Sequence, residues 1–212
     1  MGAQAERTGT LARTTLTLGA VGVASLAFGM LTFYAQGFLP DSVRSFANSS
    51  SGWTVLTALL VFGSRAKPKV AAVLGAVSFV LLVLGYTLSA TINELFYSPL
   101  LFGMIGLAAG PFVGLAAAWL RCEGIRTGLG TALLAGILLG EAVYGLTVVA
   151  DTTSPEYWSA IGGLGLALLV GMLLRRLRGW APVTAAVAGT LAVAIAFNLA
   201  YVGSAARSGD SG

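Results

Sequence analysis

The chain has no histidine and a single cysteine, Cys122. No internal disulfide framework can form, and no His/Cys set exists to hold zinc. Charge is scarce as well: 9% of the 212 residues are charged, against 57% hydrophobic. A soluble domain carries roughly a quarter charged residues. So few charges cannot cover a water-facing surface, and the chain reads as an integral membrane protein. Several chemistries lack their residues. No Gly-rich phosphate loop ends in Lys, no G-x-S-x-G elbow occurs, and no D-x-x-D pair could hold Mg²⁺ on a diphosphate. The last apolar run has no Lys for a retinal Schiff base. No metal and no cofactor is expected. The net charge of +4 is too diffuse to signal a nucleic-acid partner.

Long apolar runs are what the sequence does have. A spanning helix needs about 20 mostly apolar residues. Seven stretches qualify, at about 14–36, 43–63, 70–92, 99–120, 127–150, 157–174 and 181–203. The expected fold is therefore all-α: a single transmembrane bundle of seven helices over residues 14–203. Residues 1–13 are expected as a cytoplasmic tail and 204–212 as an external one, both disordered. The first run is too long for a signal-peptide core, so it is expected to stay. The second opens with "SVRSFANSSSGW", polar for a helix in lipid. Either it begins late, near Trp53, and is then too short to span, or its outer end is shielded by protein.

The basic residues set the orientation. Ten of the twelve Lys and Arg fall before the first run or between runs two and three, four and five, and six and seven. Only Arg44 and Arg207 fall on the other side. The positive-inside rule then puts the N-terminus in the cytoplasm and the C-terminus outside a plasma membrane. Gly106, Gly110 and Gly114 form a doubled GxxxG in the fourth run, and Gly136 and Gly140 a single one in the fifth. That spacing predicts close helix crossings. Pro111 predicts a kink. Ser98-Pro99 returns as Ser154-Pro155, 56 residues later, and Ile105-Gly106 as Ile161-Gly162. Three related hairpins are one reading of that interval.

One acid interrupts the oil. Glu141 lies in "GILLGEAVYGLTV", about 21 Å up the fifth run from the cytoplasmic end. A carboxylate at that depth must face the bundle, and a function is its default reading. The plainer reading is a protonated acid bonded to a neighbour and holding two helices together. Tyr144 shares its face. At the same depth lie Tyr86, Thr87 and Ser89, Asn198 and Tyr201, and Asn48, Ser49, Ser50 and Ser51. The inner half has no comparable set. A polar pocket in the outer half is therefore expected, with Glu141 at its floor. Asp151, about 15 Å above on the same element, is a further candidate, though "DTTSP" also reads as an Asx turn. Asp41 is expected to cap the second helix. Phe96, Tyr97, Tyr157, Trp158, Trp119 and Trp180 fit an aromatic belt at the headgroups.

Two functions suit such a pocket. In the first, Glu141 is a neutral acid that protonates an alkene or epoxide, and aromatic faces stabilise the cation. That is the logic of a protonation-initiated isoprenoid cyclase acting on a lipid-soluble substrate. Glu141 would be catalytic. Tyr144, Tyr86, Trp53, Asn48, Asn198, Tyr201 and Asp151 are the candidate substrate-binding residues. In the second, the chain is a small transporter or solute-binding permease subunit with Glu141 as its proton-coupling group. The nearly all-apolar inner half counts against transport.

The segments "GFLP", "ANSSSGW", "YSPLLFG", "AGPFVGLAAAWLR", "AGILLGEAVYGL" and "TSPEYW" resemble a family of small multi-pass actinobacterial membrane proteins of unknown function. The resemblance runs from about Gly37 to Arg178 and implies a multi-pass fold, with membrane lipids as its surroundings. A looser likeness, in size, span count and intramembrane acids, is to the small seven-helix membrane terpene cyclases. That likeness implies cyclase chemistry and assigns no residue.

Overall fold

A computed structural model describes the backbone of residues 2–150 and 153–209, with the side chains of 15–47, 49–150 and 153–201. All regular structure among these residues is helical. The helices are α1 (Gly2–Phe38), α2 (Asp41–Arg44), α3 (Ser50–Ser64), α4 (Pro68–Ile92), α5 (Leu100–Trp119), α6 (Ile125–Thr147), α7 (Pro155–Arg175) and α8 (Trp180–Gly209). A 3₁₀ turn, Ser45–Asn48, joins α2 to α3. Six of these helices are long and apolar enough to cross a membrane: Thr15–Phe38 of α1, α4, α5, α6, α7 and Trp180–Tyr201 of α8. The chain is thus a multi-pass membrane protein in contact with lipid.

The segments expected as disordered ends are helical as far as they are described. α1 starts at Gly2 and α8 continues to Gly209. "AQAERTGTLAR" is rich in strong helix formers. Once a span has paid the nucleation cost, extending it by a few such residues costs little.

The second apolar run gives the largest departure. It is not a 21-residue helix. Asp41–Arg44 and Ser45–Asn48 take up its polar start, and α3 begins only at Ser50. At about 1.5 Å per residue its 15 residues reach ~22 Å, short of the ~30 Å hydrocarbon core. Ser49 ends the 3₁₀ turn in an extended conformation, and its Oγ accepts from Gly52 N at 3.0 Å. Ser49 is therefore the helix cap. Asp41 does not fill that role; it pairs with Arg44 at 2.8 Å on an exposed turn.

Two packed groups build the bundle. α4 lies between α1 and α5, and α6 lies between α7 and α8. Small residues make the crossings close. A Cβ on Gly75 or Gly114 would collide with backbone at the α4–α5 contact, and one on Gly29 or Gly85 would do so between α1 and α4. Gly128 plays the same part between α6 and α8, where Gly136 and Gly140 also face α8. Both expected glycine stripes thus lie at helix contacts, where close backbones gain dispersion energy that hydrocarbon chains alone would not supply. α5 remains helical through Pro111. Buried serines add a polar tie: Ser25 Oγ and Ser78 Oγ lie 2.7 Å apart between α1 and α4. α3 fills the space between the two groups, against α4, α5 and α6.

Candidate functional site

The site is assembled around the two ends of α3. A helix carries about half a positive charge at its N-terminus and half a negative charge at its C-terminus. Its first N–H groups and last C=O groups also lack internal partners. In water these ends are solvated. Between packed helices they need protein partners.

Glu141 supplies the partner at the N-terminus. Its Oε1 accepts from Ser50 N at 2.9 Å and its Oε2 from Ser51 N at 2.5 Å. The residue is only 5% exposed. Burial penalises the charged form of a carboxylate. Two N–H donors and the positive helix end act against that penalty. Both oxygens accept backbone N–H bonds, an arrangement that favours the carboxylate over the acid.

Arg121, in the turn after α5, supplies the partner at the other end. It donates from Nη1 to the Phe62 carbonyl oxygen and from Nη2 to that of Ala66 at 3.2 Å. The guanidinium also lies 5.0 Å from the Phe62 ring centroid. Burial first, and the neighbouring Arg65 charge second, pull its pKa down from the ordinary value. A short helix is thus held by an acid at its positive end and a base at its negative end. Arg176 acts comparably one interval later, donating to the Cys122 carbonyl oxygen at 3.3 Å.

A cavity of about 1080 Å³ reaches Glu141. One end is polar: Ser49, Ser50, Glu141, Tyr144 and Tyr201, with Asp41 and Arg44 beside them. The other end is apolar, between Trp53, Phe79, Ile105, Ala109, Val113 and Ile137. Leu101, Phe102 and Ile105 of α5 line the cavity and also carry exposed surface.

The expected site residues divide. Glu141, Tyr144, Trp53 and Tyr201 share the cavity. Tyr201 OH is bonded to Ser50 Oγ at 2.5 Å, and its ring centroid lies 5.1 Å from that of Tyr144. Asn198 is nearby but structural: its Nδ2 donates to the Gly140 and Ala194 carbonyls, each at 2.9 Å, tying α8 to α6 beside Glu141. Tyr86 lies behind Trp53, with 6.0 Å between ring centroids, and its OH accepts from Gln36 at 3.0 Å. Asn48 falls in the 3₁₀ turn, with its side chain outside the described residues. Asp151 is also outside them.

Three participants were missed. Tyr157 and Trp158 read as belt residues, yet both are buried against α6. Tyr157 OH bonds Ser49 Oγ, and Trp158 occupies the space left by Gly145. The signal for that was Gly145, a missing side chain on the helix that bears Glu141. Arg121 read only as an orientation charge. Phe96 and Trp180, by contrast, are strongly exposed, as a belt requires.

Residues 8–206 match a family of unknown function, DUF6518. The chain belongs to that family. No curated protein and no solved structure matches it. The family carries no activity that could be transferred, so function has to be argued from the capped helix and its cavity.

Proposed function

We propose that this DUF6518 protein is a small multi-pass transporter or solute-binding permease for a lipid-soluble molecule, with Glu141 as its proton-coupling group. One observation carries the reading. The Glu141 carboxylate bonds α6 to the first turn of a short helix at the wall of a cavity. Broken helices whose ends meet ionisable groups inside the bilayer are a recurrent transporter device. A proton on Glu141 removes its charge and one of its acceptors together. The α3 N-terminus then loses its counter-charge and one of its two bonds, and the tie between the two helix groups weakens. Protonation and the shape of the cavity are coupled in this way.

The same reading makes α3, with its polar lead-in, the seventh crossing. Arg121 and Arg176 reach the α3–α4 and α5–α6 turns, which supports a common cytoplasmic end for the basic loops. The N-terminus is then inside, the C-terminus outside, and the cavity belongs to the outer half of the cell membrane. A cyclase is the second reading, favoured by the Trp53, Phe79, Phe102, Tyr144, Trp158 and Phe197 rings on one cavity. An acid whose two oxygens both accept N–H bonds is a poor proton donor, which is why transport comes first.

Native mass spectrometry of protein extracted in mild detergent tests for the ligand. Wild type should retain an adduct of drug-like size, and Ala109→Trp, which fills the apolar end, should lose it. An adduct-free wild type, or one equally abundant in Ala109→Trp, would count against a ligand cavity. Incubation with linear isoprenoids separates the two readings. A new product of unchanged mass that requires Glu141 would establish the cyclase.

A further inference from the structure

We propose that the ligand is an amphipathic monoanion, and that its headgroup takes the Ser50 and Ser51 N–H groups in exchange for Glu141 as Glu141 takes up a proton. The inference rests on the ligand-binding reading above and specifies its chemistry.

The first turn of α3 is a cluster of donors already occupied by an anion. Ser50 N and Ser51 N point at the two oxygens of one carboxylate. Ser51 Oγ, in a residue with no exposed surface, also faces the Glu141 carboxylate, without an aligned hydrogen bond. Ser50 Oγ adds a hydroxyl shared with Tyr201. The carboxylate that fills this cluster belongs to the protein itself and stands where the headgroup of a ligand would stand.

The charge balance around Glu141 makes the exchange reversible. Its own helix adds Tyr144, α7 adds Tyr157 and α8 adds Tyr201, while Asp41 and Arg44 of α2 face the same cavity. α3 and α5 carry no ionisable side chain. Arg44, the one cation in that set, is paired with Asp41. Among the described residues, the negative charge of Glu141 is therefore balanced by the end of α3 and not by an ion pair. When a proton neutralises it, two N–H groups and the positive helix end remain without an anion, in surroundings where leaving them bare is costly. An external monoanion restores the balance. In the exchange Glu141 gains one proton, its two N–H bonds break, and the same N–H groups donate to the ligand. The proton comes from solvent and forms one O–H bond on Glu141; no other covalent bond changes, and one anion and one proton enter together.

The cavity adds the second half of the ligand class. Its lining joins the polar residues around Glu141 to apolar side chains, of which Leu101, Phe102 and Ile105 carry exposed surface along α5. One charged headgroup on one apolar tail fits that division. A free amphipathic acid and an anionic lipid share the chemistry.

Decane-1-sulfonate is a suitable probe, because it stays anionic throughout the working pH range. Its binding to the full chain in zwitterionic nanodiscs should be measured by calorimetry from pH 6 to 8, in buffers of different ionisation enthalpy. Wild type should take up about one proton per ligand, and affinity should fall about tenfold for each pH unit above the titration of Glu141. Glu141→Gln should still bind, without proton uptake or the pH slope. The wild-type proton count stands even if that variant fails to fold. Sulfonate binding with no proton uptake would overturn the exchange. Decan-1-ol bound in an Ala109→Trp-sensitive way, with no sulfonate binding, would overturn the anion class and leave the ligand cavity standing. Binding of neither probe would count against both. Repeating the titration in nanodiscs of anionic lipid assigns the source: weaker sulfonate binding points to a bilayer lipid, unchanged binding to a free acid.

Discussion

Replacing Glu141 by Ala removes the only partner described for Ser50 N and Ser51 N. Ser51 is fully buried, so its N–H bears the full cost of an unmade bond, about 1–3 kcal/mol. Ser50 lines the cavity, where water can reach its N–H, and contributes less. Losing a negative charge at a partly buried helix N-terminus adds roughly 0.3–2 kcal/mol. Relief of the carboxylate's own desolvation acts the other way. The expected net loss is about 3 kcal/mol. For a domain of 150–250 residues that lowers Tm by roughly 6–12 °C. Glu141→Gln keeps one carbonyl oxygen for one N–H and sets its NH₂ against the other, so about half the loss is expected. Thermal unfolding in mild detergent, followed by tryptophan emission, measures both, since Trp53 and Trp158 flank the site. The reasoning is refuted if Glu141→Ala stays within about 0.5 kcal/mol of wild type, or if Gln costs more than Ala.

At the opposite end of α3, Arg121→Ala should cost about 1–2 kcal/mol, because the group is partly exposed and water can replace some of its bonds. Lys at that position should recover less than half of the loss, since an ammonium cannot fork between two carbonyls. Tyr97, in the α4–α5 turn, has a buried hydroxyl with no partner. Burial first, and Tyr86 second, push its pKa from 10.0 up to about 12. The unfolded chain releases that proton earlier than the folded one, so Tyr97 lowers stability as pH rises from about 10 towards 12. Tyr97→Phe should reduce the late part of an absorbance titration by one tyrosine and leave neutral-pH stability unchanged or up to about 1 kcal/mol higher. Orientation can be read with an impermeant maleimide on intact cells, in a Cys122→Ser background. Ser211→Cys should label from outside and Lys67→Cys should not; the reverse pattern would invert the topology.

Some of this was legible without a fold because it depends on one-dimensional quantities. Run length and scarce charge set the membrane class, since a helix in lipid satisfies its own backbone bonds and needs only enough apolar residues to span. The small-residue spacing at Gly106, Gly110 and Gly114 marked a contact face before its partner was known, because residues four apart share one side of a helix. Glu141 stood out as an acid too costly to face lipid. The share of the 43–63 run that is helix could not be read in this way. "SVRSFANSSSGW" is compatible with either a shielded span or a late start, and the choice falls on groups outside the run.

Tertiary structure made that choice. Glu141 lies ninety residues beyond Ser51, and Arg121 more than fifty beyond Phe62, so no local pattern could pair either with a helix end. Packing α6 beside α3 turned a lone acid into a helix cap. It also turned Ser50 and Ser51 from polar residues into donors, and buried Tyr157 and Trp158 against a glycine. The sequence by itself determined that the chain is helical, lies in a membrane and carries a carboxylate that must face inward. Only the fold decided what that carboxylate faces, because the free N–H groups of a helix are a property of where the helix starts, and that start is set by partners distant along the chain.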